Sequence, residues 1–407
     1  MSSLSTQPLT PEIVSREGNS MVLSMGPQHP STHGVLQLVL EIEGENVVNV
    51  DPEIGYLHTG IEKTAENLFW SQAQTVIERM DYLAPESNSL CYVLAAEKLL
   101  GITDRIPSRA QVIRVLFAEL TRIASHCVWL GTHCIDLGAL SVFFYAFDLR
   151  ENILDLQEEA GGARMHPNYL RIGGCNGDLP EGFLAKLDAL IEKFPGRMAD
   201  LRGLLQANPI FQDRTIGIAN LSASDAVAWN VTGPSLRATG VAYDVRRAFP
   251  YCGYESYEFD VPTRTDGDAY ARFLVRLEEM EQAHRILQQV RKRLDAPGPV
   301  MIDDPKVAAP PKETIALSME ALIHHFKIVS EGFRVPPGDV YQSVESPRGE
   351  LGFYLVSDGG NRPYRVRTRP PSLYNLQAIK AIARGNLIAD LVVTIGSLDP
   401  VFGEVDR

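Results

Sequence analysis

Residues 107–127 read PSRAQVIRVLFAELTRIASHC, and this stretch decides what kind of body the chain builds. Pro107 and Ser108, with Gln111 three residues after the serine, spell a helix start with a capping box. Val112, Leu116, Leu120, Ile123 and Cys127 then recur at helical spacing, so one face is apolar and has to be covered. The same pattern returns at about 268–294, where Phe273, Leu277, Met280, Ile286 or Leu287, and Val290 oppose a charged side. A further helix is predicted over Gly182–Phe194, bracketed by Pro180 and by Pro195-Gly196, and another from Lys312 to about Ser330, closed by Gly332 and Pro336-Pro337. Helical signals also dominate from about 61 to 160, and these are bundle helices.

Strand signals flank the bundle. Leu36, Leu38, Leu40 and Ile42 alternate against Gln37, Glu41 and Glu43, and a turn at 44–46 leads into Val47–Val50, which predicts a small antiparallel sheet. Near the other end, Glu350–Val356 and Tyr364–Thr368 form a hairpin pattern joined by SDGGNRP. Residues 207–262 are rich in Gly, Pro and Tyr and read as loops with short strands. The fold class is therefore α+β. Residues 1–20 form an extended arm, 21–63 an N-terminal β subdomain, and 64–300 a mainly helical bundle with an irregular insertion near 207–262. Residues 301–407 supply a helix, the hairpin and a buried tail.

Composition bounds the function. With 407 residues, 45% hydrophobic and 22% charged, the chain is globular and has enough apolar material for a sizeable core. A net charge of −13 repels nucleic acid and gives no attraction to anionic lipid, so membrane contact has to come through a protein partner. MSSLSTQPLT has no basic region before an apolar stretch, so no secretory signal is expected. The uncharged run Ile123–Ile135 falls short of the ~20 apolar residues that a membrane-spanning helix needs. Cys91, Cys127, Cys134, Cys175 and Cys252 are odd in number and lack CxxC spacing, which argues against a disulfide framework and against a cysteine-held cluster.

Five stretches could carry chemistry. GPQHPSTHG (26–34) and GYLHTGIEK (55–63) place His29, His33 and His58 in Gly/Pro-bounded loops at the ends of the small sheet, where either functional or hydrogen-bonded turn histidines would sit. ERMDYL (78–83) closes a helix expected to begin near Thr64, and its Arg79, Asp81 and Tyr82 are compatible with a solvated face. GTHCIDLGA (131–139) sets Asp136 in apolar surroundings, where it needs a buried partner such as a histidine. SLDPVFGEVDR (397–407) crowds Asp399, Glu404, Asp406 and Arg407 together, which suggests a buried ion network.

Taken in this order, with HPNYLRIGG, SLRATGVAYDVRRAFPY and ESPRGELGFYLVSDGG between them, these blocks resemble the quinone-site subunits of bacterial NADH-quinone oxidoreductase (respiratory complex I), the D-type family, over nearly everything from Met21 to Arg407. That family is similar in fold to nickel–iron hydrogenase large subunits, whose metal is held by RxCGxC and DPCxxC motifs. The equivalents here are Arg79–Ala84 and Asp399–Glu404, with Asp81, Ala84, Val401 and Glu404 where the thiols would be. A soft metal centre wants thiolates, so no metal is expected.

The resemblance implies that His33 and Tyr82 hold the two carbonyl oxygens of a quinone headgroup, and that Asp136 partners His33. It implies too that Arg79 and His166 lie beside the terminal iron–sulfur cluster of a neighbouring small subunit, where positive charge raises the cluster's potential. Quinone would be the substrate. Iron–sulfur clusters, FMN and NADH would belong to partner subunits. The implied neighbours are the small iron–sulfur subunit of B type, the C-type and I-type subunits, and the H-type membrane subunit, with this chain peripheral on the cytoplasmic face of the bacterial inner membrane. A hydrogenase large subunit would require the missing cysteines. A non-catalytic scaffold would be expected to lose His33, Tyr82 and Asp136, and a complex fed by another electron donor would carry the same kind of subunit.

Overall fold

The computed structural model describes residues 12–17, 20–29 and 32–407. A four-stranded antiparallel sheet opens the chain: β1 (Glu12–Glu17), β2 (Ser20–Met25), β3 (Gln37–Glu43) and β4 (Asn46–Glu53), in that order across the sheet. Residues 12–17, expected as arm, are thus its edge strand, paired with Ser20–Ser24 in β2; residues 1–11, 18 and 19 lie outside the described residues. Leu36, Leu38, Leu40 and Ile42 are all buried, as the alternation requires.

The helical part follows: α1 (Ile61–Asn67), α2 (Trp70–Ile77), α3 (Pro85–Leu100), α4 (Ser108–Asp136) and α5 (Leu140–Gly161). The single helix expected from Thr64 is broken at Leu68 and Phe69, both extended, and Gln72 caps the restart by accepting the Phe69 N–H at 3.2 Å. Arg79–Tyr82 therefore sit in a turn after α2 rather than late in a helix. The cap of α4 also moves by one residue: Pro107 precedes the first helical residue, Ser108, and Gln111 instead donates to the Ile106 carbonyl. Helix α4 packs against α3, α5 and the later helix Ala269–Arg293, so even Glu119, Arg122 and His126 on it are buried.

After the short ladder β5 (Leu170–Arg171) and β6 (Gly174–Cys175) comes α6, which spans Phe183–Leu205. It continues through Pro195, where the sequence predicts an end. Proline cannot bond the carbonyl four residues back, and here the His284 ring nitrogen takes that Ile191 carbonyl at 2.8 Å while stacking on Phe194. The stretch 207–262 holds helical turns and not strands among the described residues: α7 (Pro209–Asp213), α8 (Ala223–Ala228), α9 (Pro234–Arg237) and α10 (Val245–Ala248). Asn208, Ser222 and Asp244 cap three of these, which is what short polar side chains do in a Gly/Pro-rich chain. Helix α11 (Ala269–Arg293) is capped by Asp268, at the predicted start.

The last predicted helix is two, α12 (Lys312–Ile315) and α13 (Met319–Ser330), because Ser318 caps a new start by accepting the Ala321 N–H. The hairpin is observed as β8 (Gly349–Ser357) with β9 (Arg365–Arg369), but β8 is central in a three-stranded antiparallel sheet whose other edge is β7 (Gly338–Ser346). The chain ends in α14 (Pro371–Gln377), α15 (Ile379–Ile382), α16 (Ile388–Leu398) and α17 (Phe402–Asp406).

Burial divides the interior into two large apolar clusters. One joins the helices to the β7–β9 sheet and includes Met80. The other joins the N-terminal sheet to the chain's last helices, through Leu38, Leu40 and Val50 on one side and Ile395, Phe402 and Val405 on the other. Burying these faces brings the N-terminal sheet and the chain's last helices to the seam where Met80 meets Gly403.

Candidate active site

The turn after α2 and the segment after α16 face each other. Gly403 is buried, and a Cβ there would stand 2.6 Å from the Met80 carbonyl oxygen and 3.4 Å from the Tyr82 ring. Only glycine permits that approach, which presses the Arg79–Ala84 motif onto the Asp399–Glu404 motif. The His33 ring lies on the next residue of the same segment, with its centroid 5.8 Å from that of Phe402. Thr32, which donates to the Pro27 and His29 carbonyls at 3.0 and 2.9 Å, ties the loop that presents His33. The implied headgroup donors, His33 and Tyr82, thus adjoin one tail segment, 402–403.

Between the motifs lies Arg348, from the β7–β8 turn, almost wholly buried. It donates to Asp81 Oδ2 at 3.0 Å, Ser125 Oγ at 3.0 Å, Asp399 Oδ1 at 3.3 Å and the Asp399 carbonyl at 3.1 Å. Asp81 also accepts the Leu83 and Ala84 N–H groups. Burial nevertheless pushes the Asp81 carboxyl above its ordinary range, against the opposing charge of Arg348. Glu404 is buried as well and accepts the Ser372 hydroxyl at 2.9 Å; burial, with Asp81 beside it, raises it to about 8. Burial holds the Tyr82 phenol above its ordinary value, Arg348 opposing and Asp81 and Asp399 reinforcing.

The expected tail network exists, but its cation is Arg348 rather than Arg407. Asp406 serves differently, accepting the Gly55 and Leu57 N–H groups at 2.9 and 2.7 Å, while its carbonyl meets His58 Nδ1 at 2.7 Å. His58 is thereby a clasp between loop and tail. A nickel–iron centre does not fit these residues: Asp81 is committed to Arg348, Glu404 to Ser372, and Ala84 and Val401 offer no donor.

His33 is exposed at one edge, yet packing around the ring lowers its pKa, with Asp399 pulling the other way. The carboxylate that acts on it is Asp399, not the implied Asp136. Among the described residues Asp136 also lacks the buried partner expected of it. It is the last residue of α4, exposed between Ile135 (41%) and Leu140 (55%), because α4 ends at the surface. Partial burial still raises it to about 6. The nearby histidine, His133, is buried and stays neutral at pH 7, since burial and the charges of Arg276 and Arg272 lower its pKa to about 3.

Arg79 and His166 are brought together, since the Arg79 charge adds to burial in lowering the His166 pKa. His166 is therefore neutral near pH 7, and the permanent positive charge of the pair is that of Arg79 alone. Arg79 does not pair with Asp81; it is exposed and donates to the Thr75 carbonyl. Glu78 completes this corner by accepting the Asn168 N–H at 3.0 Å.

Sequence reasoning missed Arg348 and a second interior network. Arg237 bonds Glu279 and Glu345, Arg246 joins Asp244 to Glu119, and His126 meets Glu279 at 3.0 Å. The available signal was Glu119 and Arg122 inside a helix with apolar residues all round.

Such a site, two hydrogenase-type motifs pressed together around an arginine–carboxylate cluster instead of thiolates, defines a hydrogenase-like large subunit without a metal centre of that type. The chain belongs to the family described as "Respiratory-chain NADH dehydrogenase, 49 Kd subunit", whose model matches residues 136–407. It is 55% identical over 403 residues to the second D-type subunit of NADH-quinone oxidoreductase from Chloroflexus aurantiacus, covering 98% of this chain and 97% of the relative. It is 57% identical over 390 residues to the first D-type subunit of the Roseiflexus castenholzii oxidoreductase (95% and 93% covered). Against the Geobacter sulfurreducens D-type subunit the identity is 54% over 387 residues (95% and 98%).

Proposed function

We propose that this chain is a core subunit of a proton-translocating NADH:quinone oxidoreductase, and that His33 and Tyr82 hold the quinone headgroup in its reduction pocket. The observation that carries this reading is that both donors rest on neighbouring residues of one buried segment, His33 by Phe402 and Tyr82 by Gly403. A quinone presents two carbonyl oxygens on opposite edges, and each takes one proton as two electrons arrive. Tyr82 carries a phenolic proton at any physiological pH, because its pKa lies above the ordinary value. His33 is mostly neutral at rest, and the negative charge of a reduced quinone would favour its protonation, as Asp399 already does.

Electrons would come from NADH through FMN and iron–sulfur clusters in partner subunits, the last cluster being held by the small B-type subunit beside Arg79 and His166. The C-type and I-type subunits would complete the arm. Exposed Leu140 and Phe144 (63%), next to Asp136, offer an apolar face to the H-type membrane subunit. No helix among the described residues is long and apolar enough to cross a membrane, in keeping with a peripheral place on the cytoplasmic face. The test is Tyr82→Phe in the assembled membrane complex. NADH-to-quinone turnover should drop steeply while NADH-to-ferricyanide turnover, which bypasses the pocket, holds. Wild-type rates in both assays would make Tyr82 structural.

A further inference from the structure

Beneath Tyr82, three buried carboxylates, those of Asp81, Asp399 and Glu404, surround one guanidinium, that of Arg348. The groups around them come from every packed element: Tyr82 from the turn after α2, Ser125 from α4, Ser372 from α14, and Arg276 of α11, whose charge acts on Asp399. Arg348 bonds Asp81 and Asp399 but makes no bond to Glu404, whose partners are the Ser372 hydroxyl and N–H. Among the described residues Asp399 Oδ2 is buried with no hydrogen-bond partner, so the cluster has more acceptors than donors. One cation in contact cannot neutralise three carboxylates in a site this buried, and the cheapest remedy is to keep a proton on one of them. Glu404, lacking the cation, is where it resides: burial and Asp81 raise it to about 8.

Resting on the quinone-pocket reading, we propose that Glu404, through Asp81, is the proton store that restores the Tyr82 phenol after each quinone reduction. The quinone receives two electrons originating from NADH and two protons. One proton leaves the Tyr82 oxygen for a quinone oxygen, and the O–H bond of tyrosine breaks as that of the quinol forms; the other passes from solvent through His33, exposed at one edge, to the second quinone oxygen. The phenolate left behind is more basic than an ordinary one, since burial disfavours it and Asp81 and Asp399 add to that against the pull of Arg348. The Glu404 proton passes by way of Asp81 to the phenolate, leaving Glu404 ionised until it is refilled from solvent. Glu404 and Asp81 are positioning and relay groups that do not touch the substrate; on this path only Tyr82 does.

The experiment compares wild type, Glu404→Gln, Glu404→Asp and Tyr82→Phe in the assembled membrane complex, with a short-chain quinone and with ferricyanide as acceptors. Glu404→Gln should lower quinone turnover by about tenfold or more with ferricyanide turnover intact, and Glu404→Asp should recover part of it. Wild-type quinone turnover should fall as pH rises past about 8, where the store empties, and that alkaline limb should be missing in Glu404→Gln. Wild-type turnover with an unchanged alkaline limb in Glu404→Gln overturns the proposal. If Glu404→Gln fails to assemble, Ser372→Ala decides: it removes the hydroxyl that favours ionised Glu404, so the limb should move to higher pH, and an unmoved limb overturns the proposal. A Tyr82→Phe enzyme with full quinone turnover sinks the pocket reading itself. A slow Tyr82→Phe beside an unaffected Glu404→Gln sinks only the proton store.

Discussion

Arg348→Met deletes the guanidinium at the centre of the site and keeps an unbranched apolar stem in its place. Asp81 Oδ2, Asp399 Oδ1, the Asp399 carbonyl and Ser125 Oγ all lose their donor. Removing one partner of a buried ion pair leaves an uncompensated buried charge and costs about 3–5 kcal/mol. For a chain of this size that is a fall in melting temperature of roughly 4–6 °C. The loss should depend on pH in a defined sense. Burial already raises Asp81 above 3.8 with Arg348 opposing, and without Arg348 it rises further. A carboxyl raised in the folded state is protonated there and ionised in the unfolded chain, so stability declines as pH climbs from about 3.8 to the raised value. The gap between wild type and variant should therefore be smaller at pH 5 than at pH 8. Thermal unfolding of the purified full-length chain, followed by circular dichroism at both values, measures it. A loss under about 1 kcal/mol, equal at the two pH values, would refute the view that Arg348 neutralises this cluster.

Three other outcomes follow from the packing. Gly403→Ala sets a methyl 2.6 Å from the Met80 carbonyl oxygen, so the variant should lose about 1–3 kcal/mol by thermal unfolding and shift Tyr82. Its quinone turnover should suffer while ferricyanide turnover does not, and equal losses in both would point to assembly instead. His284→Phe keeps a ring on Phe194 but leaves the Ile191 carbonyl without a donor, at a cost of about 1–2 kcal/mol. Adding Pro195→Ala should return part of it by supplying the missing N–H, a coupling that a double-mutant cycle reads directly. Burial pushes the Cys127 and Cys134 thiols up to about 12 and Cys252 to about 11, so a thiol reagent at pH 8 should label them only after denaturation. Prompt labelling of Cys127 in the native chain would contradict its placement.

The helices with strong period and clear caps are legible in the sequence: α4 and α11 are where Val112–Cys127 and Phe273–Val290 place them. Boundaries fail where a distant partner intervenes. Pro195 reads as a helix end because nothing local can satisfy Ile191, and His284, far along the chain, satisfies it. The edge strands β1 and β7 leave little trace in the sequence, because an edge needs only one neighbour and carries little alternation of its own. Residues 207–262 read as loops with short strands and fold as loops with helical turns, since helices of four to six residues are too short to show a period.

For the site, local sequence supplied the chemistry: a phenol in RMDYL, imidazoles in the Gly/Pro loops, carboxylates in SLDPVFGEVDR, and the absence of thiols at the four hydrogenase positions. The sequence by itself determined these identities, the α+β class and, through the order of its blocks, the family. Only the tertiary structure decided who faces whom. Asp399 rather than Asp136 acts on His33, Arg348 rather than Arg79 or Arg407 neutralises Asp81, and His166 is neutral beside Arg79. The reason is that charge and burial are properties of the assembled interior. Arg348 reaches Asp81 across 267 positions of sequence because two apolar clusters close on one seam, and no local pattern encodes that meeting.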